Sequence, residues 1–197
     1  MSRLAWGRPR IFVKDLDAVT PVWVELYTPV LDSTELTPTK GEKMEALVEG
    51  GDAEDVRYKR SKYALTYSIR KSKGLGSASV RVLPFHSVDG VVEHHFAVLL
   101  QPEDATCEGF YIGETAVSVD DSWKAAEGAI WQVTHDALRP SFGDTVKWGV
   151  VSITGEAGSE KISFTEGSSF DSGTPGEGSS ALRITEESVT VLGLPEG

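Results

Sequence analysis

The chain has 197 residues, 40% of them hydrophobic, enough for one substantial core or two small ones, and one domain is the expectation. Its net charge of −11 excludes a phosphate-neutralising nucleic-acid binder, which needs a basic face. A single cysteine, Cys107, excludes an intramolecular disulfide and a thiolate metal cluster, and the absence of asparagine removes any N-glycosylation acceptor. Residues 1 to 101 hold 14 bases against 13 acids, whereas residues 102 to 197 hold 5 against 17. That excess acid reads either as a solubility feature or as a surface that a polyanion passes without sticking.

At the start, "MSRLAWGRPRIFVK" has no apolar stretch resembling a signal peptide, and no run approaches the roughly 20 apolar residues of a membrane span. A soluble chain made in the cytosol, with no membrane partner, is the expectation. From there the dominant signal is period-two alternation. Strand candidates fall at 11–14, 21–27, 42–50, 63–69, 91–100, 110–119, 129–138, 146–153, 161–165 and 182–192. In 63–69, Tyr63, Leu65, Tyr67 and Ile69 share one side; in 91–100, Val92, His94, Phe96, Val98 and Leu100 form one row, with Glu93 and His95 opposite. Asp89-Gly90 suits a tight hairpin, and Gly41, Gly50-Gly51, Gly128 and Gly143 fall between strand candidates.

Helix has little room. Residues 77–87, weakened by Pro84, and "DSWKAAE" at 121–127, capped by Asp121 or Ser122, are the best candidates. The fold class expected is therefore all-β, or mainly β with one short helix: a sandwich or barrel. The segment 166–180, rich in Gly and Ser, reads as a mobile loop within the single domain 1–197.

Candidates for chemistry are weak. His94 and His95 are neighbours on a strand and point to opposite faces, and His86 and His135 add no metal-ligand spacing. Cys107 lies between acids, which disfavours a thiolate, so it reads as a semi-buried structural residue. "GLGSAS" at 74–79 lacks the context of a phosphate loop, and no G-x-S-x-G elbow occurs. The acid pairs Asp15/Asp17, Asp120/Asp121 and Glu186/Glu187 lack a calcium-loop order. Trp6, Trp23, Trp123, Trp131 and Trp148 fit core packing or a subunit contact better than a sugar platform. No cofactor, no metal and no enzymatic site is expected.

Assembly is the remaining theme. "EGGDAEDVRYKRSKYALTYSIR", residues 49–70, sets Asp52, Glu54 and Asp55 against Arg57, Lys59, Arg60 and Lys62 at the root of a strand. If 42–50 and 63–71 pair antiparallel, residues 51–62 become a projecting charged loop, with acids on one limb and bases on the other. One copy's acidic limb then meets another's basic limb, the logic of a head-to-tail contact. An internal ion-pair ladder is the alternative.

The phrases "YTPVLDSTELTPTKGEKMEALVEGGDAEDVRY", "YALTYSIRK", "DGVVEHHFAVLLQPEDATCEGF" and "TAVSVDDSWKAAEGAIWQVTHDALRP" also resemble a known group. Taken in order, over roughly residues 5 to 153, they are similar to major tail (tail tube) proteins of long-tailed bacteriophages and prophages, particularly those of Bacteroides-type bacteria. The resemblance implies a tail-tube β-sandwich or barrel flanked by a helix, assembling with itself into hexameric rings stacked as a tube. It also implies tape-measure and tail-tip or terminator proteins as partners, DNA passing through the lumen without specific binding, residence in the virion tail, and synthesis in the bacterial host cytoplasm. Residues 51–62 match the place of the family's inter-subunit loop, and no catalytic residue is carried over. A tube subunit of a contractile injection system and a carbohydrate-binding or adhesin β-sandwich remain alternatives.

Overall fold

The computed structural model describes residues 7–47, 49, 53–71, 81–125, 128–141, 143–156, 159–167 and 182–192. Two apolar runs organise it. "IFV" in β1 (Arg10–Asp15) and "FAVL" within β8 (Val91–Gln101) are buried at every position, as strands covered on both faces must be. Their side chains alternate between two cores. Phe12, Ala97 and Leu99 point into one, with Trp23, Ile162 and Phe164. Ile11, Val13, Phe96 and Val98 point into the other, with Leu65 and Tyr67.

The first core is the interior of a barrel. Its strands are β9 (Gly109–Lys124), β11 (Val146–Thr154), β12 (Lys161–Glu166), β13 (Arg183–Val191), β2 (Trp23–Glu25), β1 and β8. The ring closes because β8 pairs with β9 as well as with β1. All its pairings are antiparallel except β13 with β2, where Val189 lies beside Trp23. Strand β9 is long enough to serve twice. Residues 109–112 pair with β11 in the barrel, and 115–124 pair with β10 (Gly128–Ala137) outside it.

Strand β10 leads to β6 (Lys62–Arg70) and then to β3 (Glu35–Thr39), making a wing that packs on the outer side of the β1–β8–β9 wall and encloses the second core. The alternation in β6 is as expected, with Leu65, Tyr67 and Ile69 facing that core. The Asp89-Gly90 hairpin is present between β7 (Ser87–Val88) and β8; both residues have positive φ, 50° and 84°, as a two-residue turn of this kind requires.

The all-β class is therefore seen, with no helix among the described residues. Several finer expectations are corrected. Asp121–Lys124 is not a helical turn but the end of β9, with Trp123 opposite Ala129; cross-strand pairing outweighs a cap and one turn of costly nucleus. Of residues 77–87, 81–86 are not helical and 87–88 form β7; 77–80 lie outside the described residues. Residues 42–50 do not pair with 63–71. Instead β4 (Lys43–Leu47) pairs with β5 (Ala53–Tyr58), and β6 lies between β3 and β10. Thus residues 53–58 of the charged stretch form one strand of a hairpin, Lys59 and Arg60 lie in the connection that follows it, and Lys62 begins β6. Most of the Gly/Ser-rich segment, 168–180, and "GLGSAS" lie outside the described residues.

Leu99, with no exposed surface, faces the barrel interior from the shared wall. Leu99→Ala is expected to cost about 2–5 kcal/mol, and Val19→Ala, at a fully exposed position, under about 0.5. Urea unfolding of the two variants checks the contrast.

Candidate functional site

Hairpin β4–β5 forms a sheet of its own and makes no substantial contact with any other strand of the subunit. Its root is tightly closed. The Lys59 N–H donates to the Glu42 carbonyl at 2.9 Å, and Gly41 lies so close to the Lys59 carbonyl that a Cβ there would overlap it. Register puts Lys43 beside Tyr58 and Glu45 beside Val56 on one face, and Met44 beside Arg57 and Ala46 beside Asp55 on the other. Both faces are open: Met44 is 56% exposed, Val56 41% and Tyr58 54%. A lone two-stranded hairpin is marginal in water, and this one is held mainly by its own ladder and closed root.

The charges are not segregated by limb. Arg57 Nε donates to Asp55 Oδ2 at 2.7 Å along β5, Lys43 pairs with Glu45 along β4, and Lys59 Nζ reaches Glu42 across the root at 2.6 Å. Residues two apart on a strand share a face, so opposite charges at that spacing pair locally. Arg60 and Lys62 are exposed and have no ion pair among the described residues. Asp52 and the side chain of Glu54 lie outside the described residues.

A second surface feature was not legible in the sequence. A groove of about 880 Å³ opens where the wing leaves the barrel, floored by Leu36, Leu65, Leu100 and Phe110. Leu31 and Trp148 stand at it, 87% and 51% exposed. Its walls are braced. The Val30 N–H donates to the Ser68 carbonyl at 2.8 Å, the Ser68 N–H donates to Ser33 Oγ at 3.1 Å, and the Arg8 guanidinium donates to Thr28 Oγ1 at 3.1 Å. The one available signal was "TPVLDST", whose Val30 and Leu31 fitted no strand candidate.

Among the described residues the buried titratable groups that hydrogen-bond to one another form one chain. Thr115 Oγ1 donates to the Phe96 carbonyl at 2.8 Å, so it accepts from His135 Nδ1–H at 3.0 Å. His135 Nε2 is then the acceptor for the Tyr67 hydroxyl at 2.8 Å. Burial lowers the His135 pKa to about 3 and raises that of Tyr67. All three residues are sealed under Phe85 and Phe96, so the chain orders the second core and has no access to a substrate. Its sequence signal is a histidine in the apolar row Trp131, Val133, His135.

Elsewhere, His94 Nδ1 meets Asp15 at 2.8 Å, which raises the histidine pKa, and His95 Nδ1 meets Glu114 at 2.9 Å. Among the described residues no group of three or more His, Cys, Asp or Glu is placed to hold a metal ion. Trp23 is buried, and Trp123 stands thirteen residues along β9 from Phe110, the neighbour of Trp148, a separation of about 40 Å. These tryptophans do not build a shared sugar platform. Some acids of the second half pair with bases of the first half: Glu160 with Arg10, Glu187 with Lys14 and Asp121 with Lys71. No protein-family model matches the chain, and no curated protein matches its sequence.

The histidine chain predicts an acid-side loss of stability. The unfolded chain binds a proton on His135 below about pH 6.5 while the folded one refuses it down to about pH 3. Stability therefore decreases as the pH is lowered through that window, by about 1.4 kcal/mol per unit. His94, exposed and raised, acts in the opposite sense, its contribution fading as pH rises. His135→Phe is expected to remove most of the slope and to cost about 1–3 kcal/mol at neutral pH through the orphaned Tyr67 hydroxyl, part of which Tyr67→Phe restores. Urea unfolding of the three proteins across that pH range measures both effects.

Proposed function

We propose that the protein is a non-enzymatic structural subunit that assembles with itself into rings stacked as a tube, the major tail protein of a long-tailed phage or prophage. The observation that supports this reading best is the β4–β5 hairpin: a closed, charged, two-faced element with no home in its own subunit. A closed barrel hides its own strand edges, so the edges open to a neighbour among the described strands belong to the hairpin, to β7 and to β3, whose outer side carries Pro38. The net charge of −11 suits a conduit for DNA, because a negatively charged protein gives a phosphate backbone little to adhere to.

In this mechanism apolar contact supplies most of the stability of the assembly, and the hairpin charges set orientation. The local pairs Arg57–Asp55 and Lys59–Glu42 are exposed and worth at most about 1 kcal/mol each, so they exchange readily for partners on another copy.

Negative-stain electron microscopy across concentration and salt, with light scattering for mass, tests the reading. Rings or tubes with a central channel are the expected result; a monomer that binds an immobilised glycan array would favour the adhesin. Reversing Arg57, Lys59 and Arg60 to glutamate is expected to abolish rings while leaving the monomer's unfolding midpoint nearly unchanged. Normal rings from that variant would remove the hairpin from the interface.

A further inference from the structure

We infer that the groove beside Trp148 is the seat for the root of the β4–β5 hairpin of another copy of this chain. The inference rests on the self-assembly reading and names its acceptor surface.

Each feature lacks a partner of a kind that the other provides. The hairpin root exposes Met44, Val56 and Tyr58 around a tightly closed base, with Lys40 Nζ held 4.5 Å from the Tyr58 ring centroid. The groove exposes Leu31 and Trp148 over an apolar floor. The unpaired charges are also opposite. At the root Arg60 and Lys62 are cations with no ion pair among the described residues. At the groove Asp32, Glu103 and Glu108 are exposed carboxylates in the same condition; among the described residues Glu103 accepts only the Arg8 backbone N–H, and the one cation lining the groove, Arg8, turns its guanidinium to Thr28. Opposed potentials of this kind fix orientation and reject like-charged alternatives.

The placement is polar. Ladder β3–β6 has the groove at Leu36 and Leu65 and the hairpin root beyond Thr39 and Lys62. The hairpin makes no more than weak contact with any other strand of its own subunit, so donor and acceptor are separate patches on one molecule. A contact between two different patches is head-to-tail, and repeats either as a closed ring or as an open stack. The braced groove walls and the closed hairpin root enter such a contact already ordered, which lowers the entropy cost of binding.

Cross-linking between full-length chains tests the seat. In a Cys107→Ser background, one chain carries Arg60→Cys and a second Glu108→Cys; they are mixed under mild oxidation, and the mixed disulfide is quantified by mass spectrometry. A yield several-fold above that of an Arg60→Cys chain mixed with Glu156→Cys is expected. Leu31→Asp in the groove chain should lower association by about tenfold, the scale of one interface anchor. A control-level yield overturns the seat: together with rings in the microscope it leaves self-assembly standing through another surface, and together with a strict monomer it removes both. A monomer in which Glu108→Cys cross-links instead to Leu4→Cys of the same chain also overturns it, with residues 1–6 as the occupant.

Discussion

Everything in this fold hangs on two strands that are buried on both faces. In β1 and β8 successive side chains serve different cores, so Phe12 and Leu99 fill a barrel while Ile11, Val13, Phe96 and Val98 hold the wing. A shift of either strand by one residue would exchange the two sets, and each core would receive side chains shaped for the other. Register is therefore specified twice over along this wall. Continuity of the wall also explains where the surface features lie, because the groove opens where the wing parts from the barrel at Leu36, Leu100 and Phe110.

Against that rigid body the hairpin is an exception. It is held by its own ladder, by the closed root at Gly41 and by exposed ion pairs, none of which contributes much in water. A chain that seals its barrel and buries His135 leaves Met44, Val56 and Tyr58 of the hairpin in solvent, alongside Leu31 and Trp148 at the groove.

How much was legible follows from which forces are local. The one-sided alternation of β6 and the Asp89-Gly90 turn are local patterns and were readable. Strand β8 was only half readable: Phe96, Val98 and Leu100 make a row, but Ala97 and Leu99 are buried on the opposite face. In β5, Val56 and Tyr58 alternate with Asp55 and Arg57, a period-two signal masked by the density of charge. Strand β3 holds Pro38 and two threonines and shows its strand character only through pairing with β6. The "DSWKAAE" propensity lost to a local hairpin ladder, in which residues 121–124 pair with 128–131 across the turn that Gly128 closes. Of the candidate site, the exposure of the charged stretch was readable; its local ion pairs were not, because they depend on which residues share a strand face.

The parallel pairing of β13 with β2 has a consequence in time. Val189 lies beside Trp23, so the ring cannot close until nearly the whole described chain has left the ribosome. Until then β2 and β12 each lack one neighbour, while the hairpin and the wing, built from residues 35 to 137, can already form. Such distant pairing makes folding slow and leaves open strand edges exposed for longer. A nascent chain thus displays the exposed hairpin before its barrel is sealed.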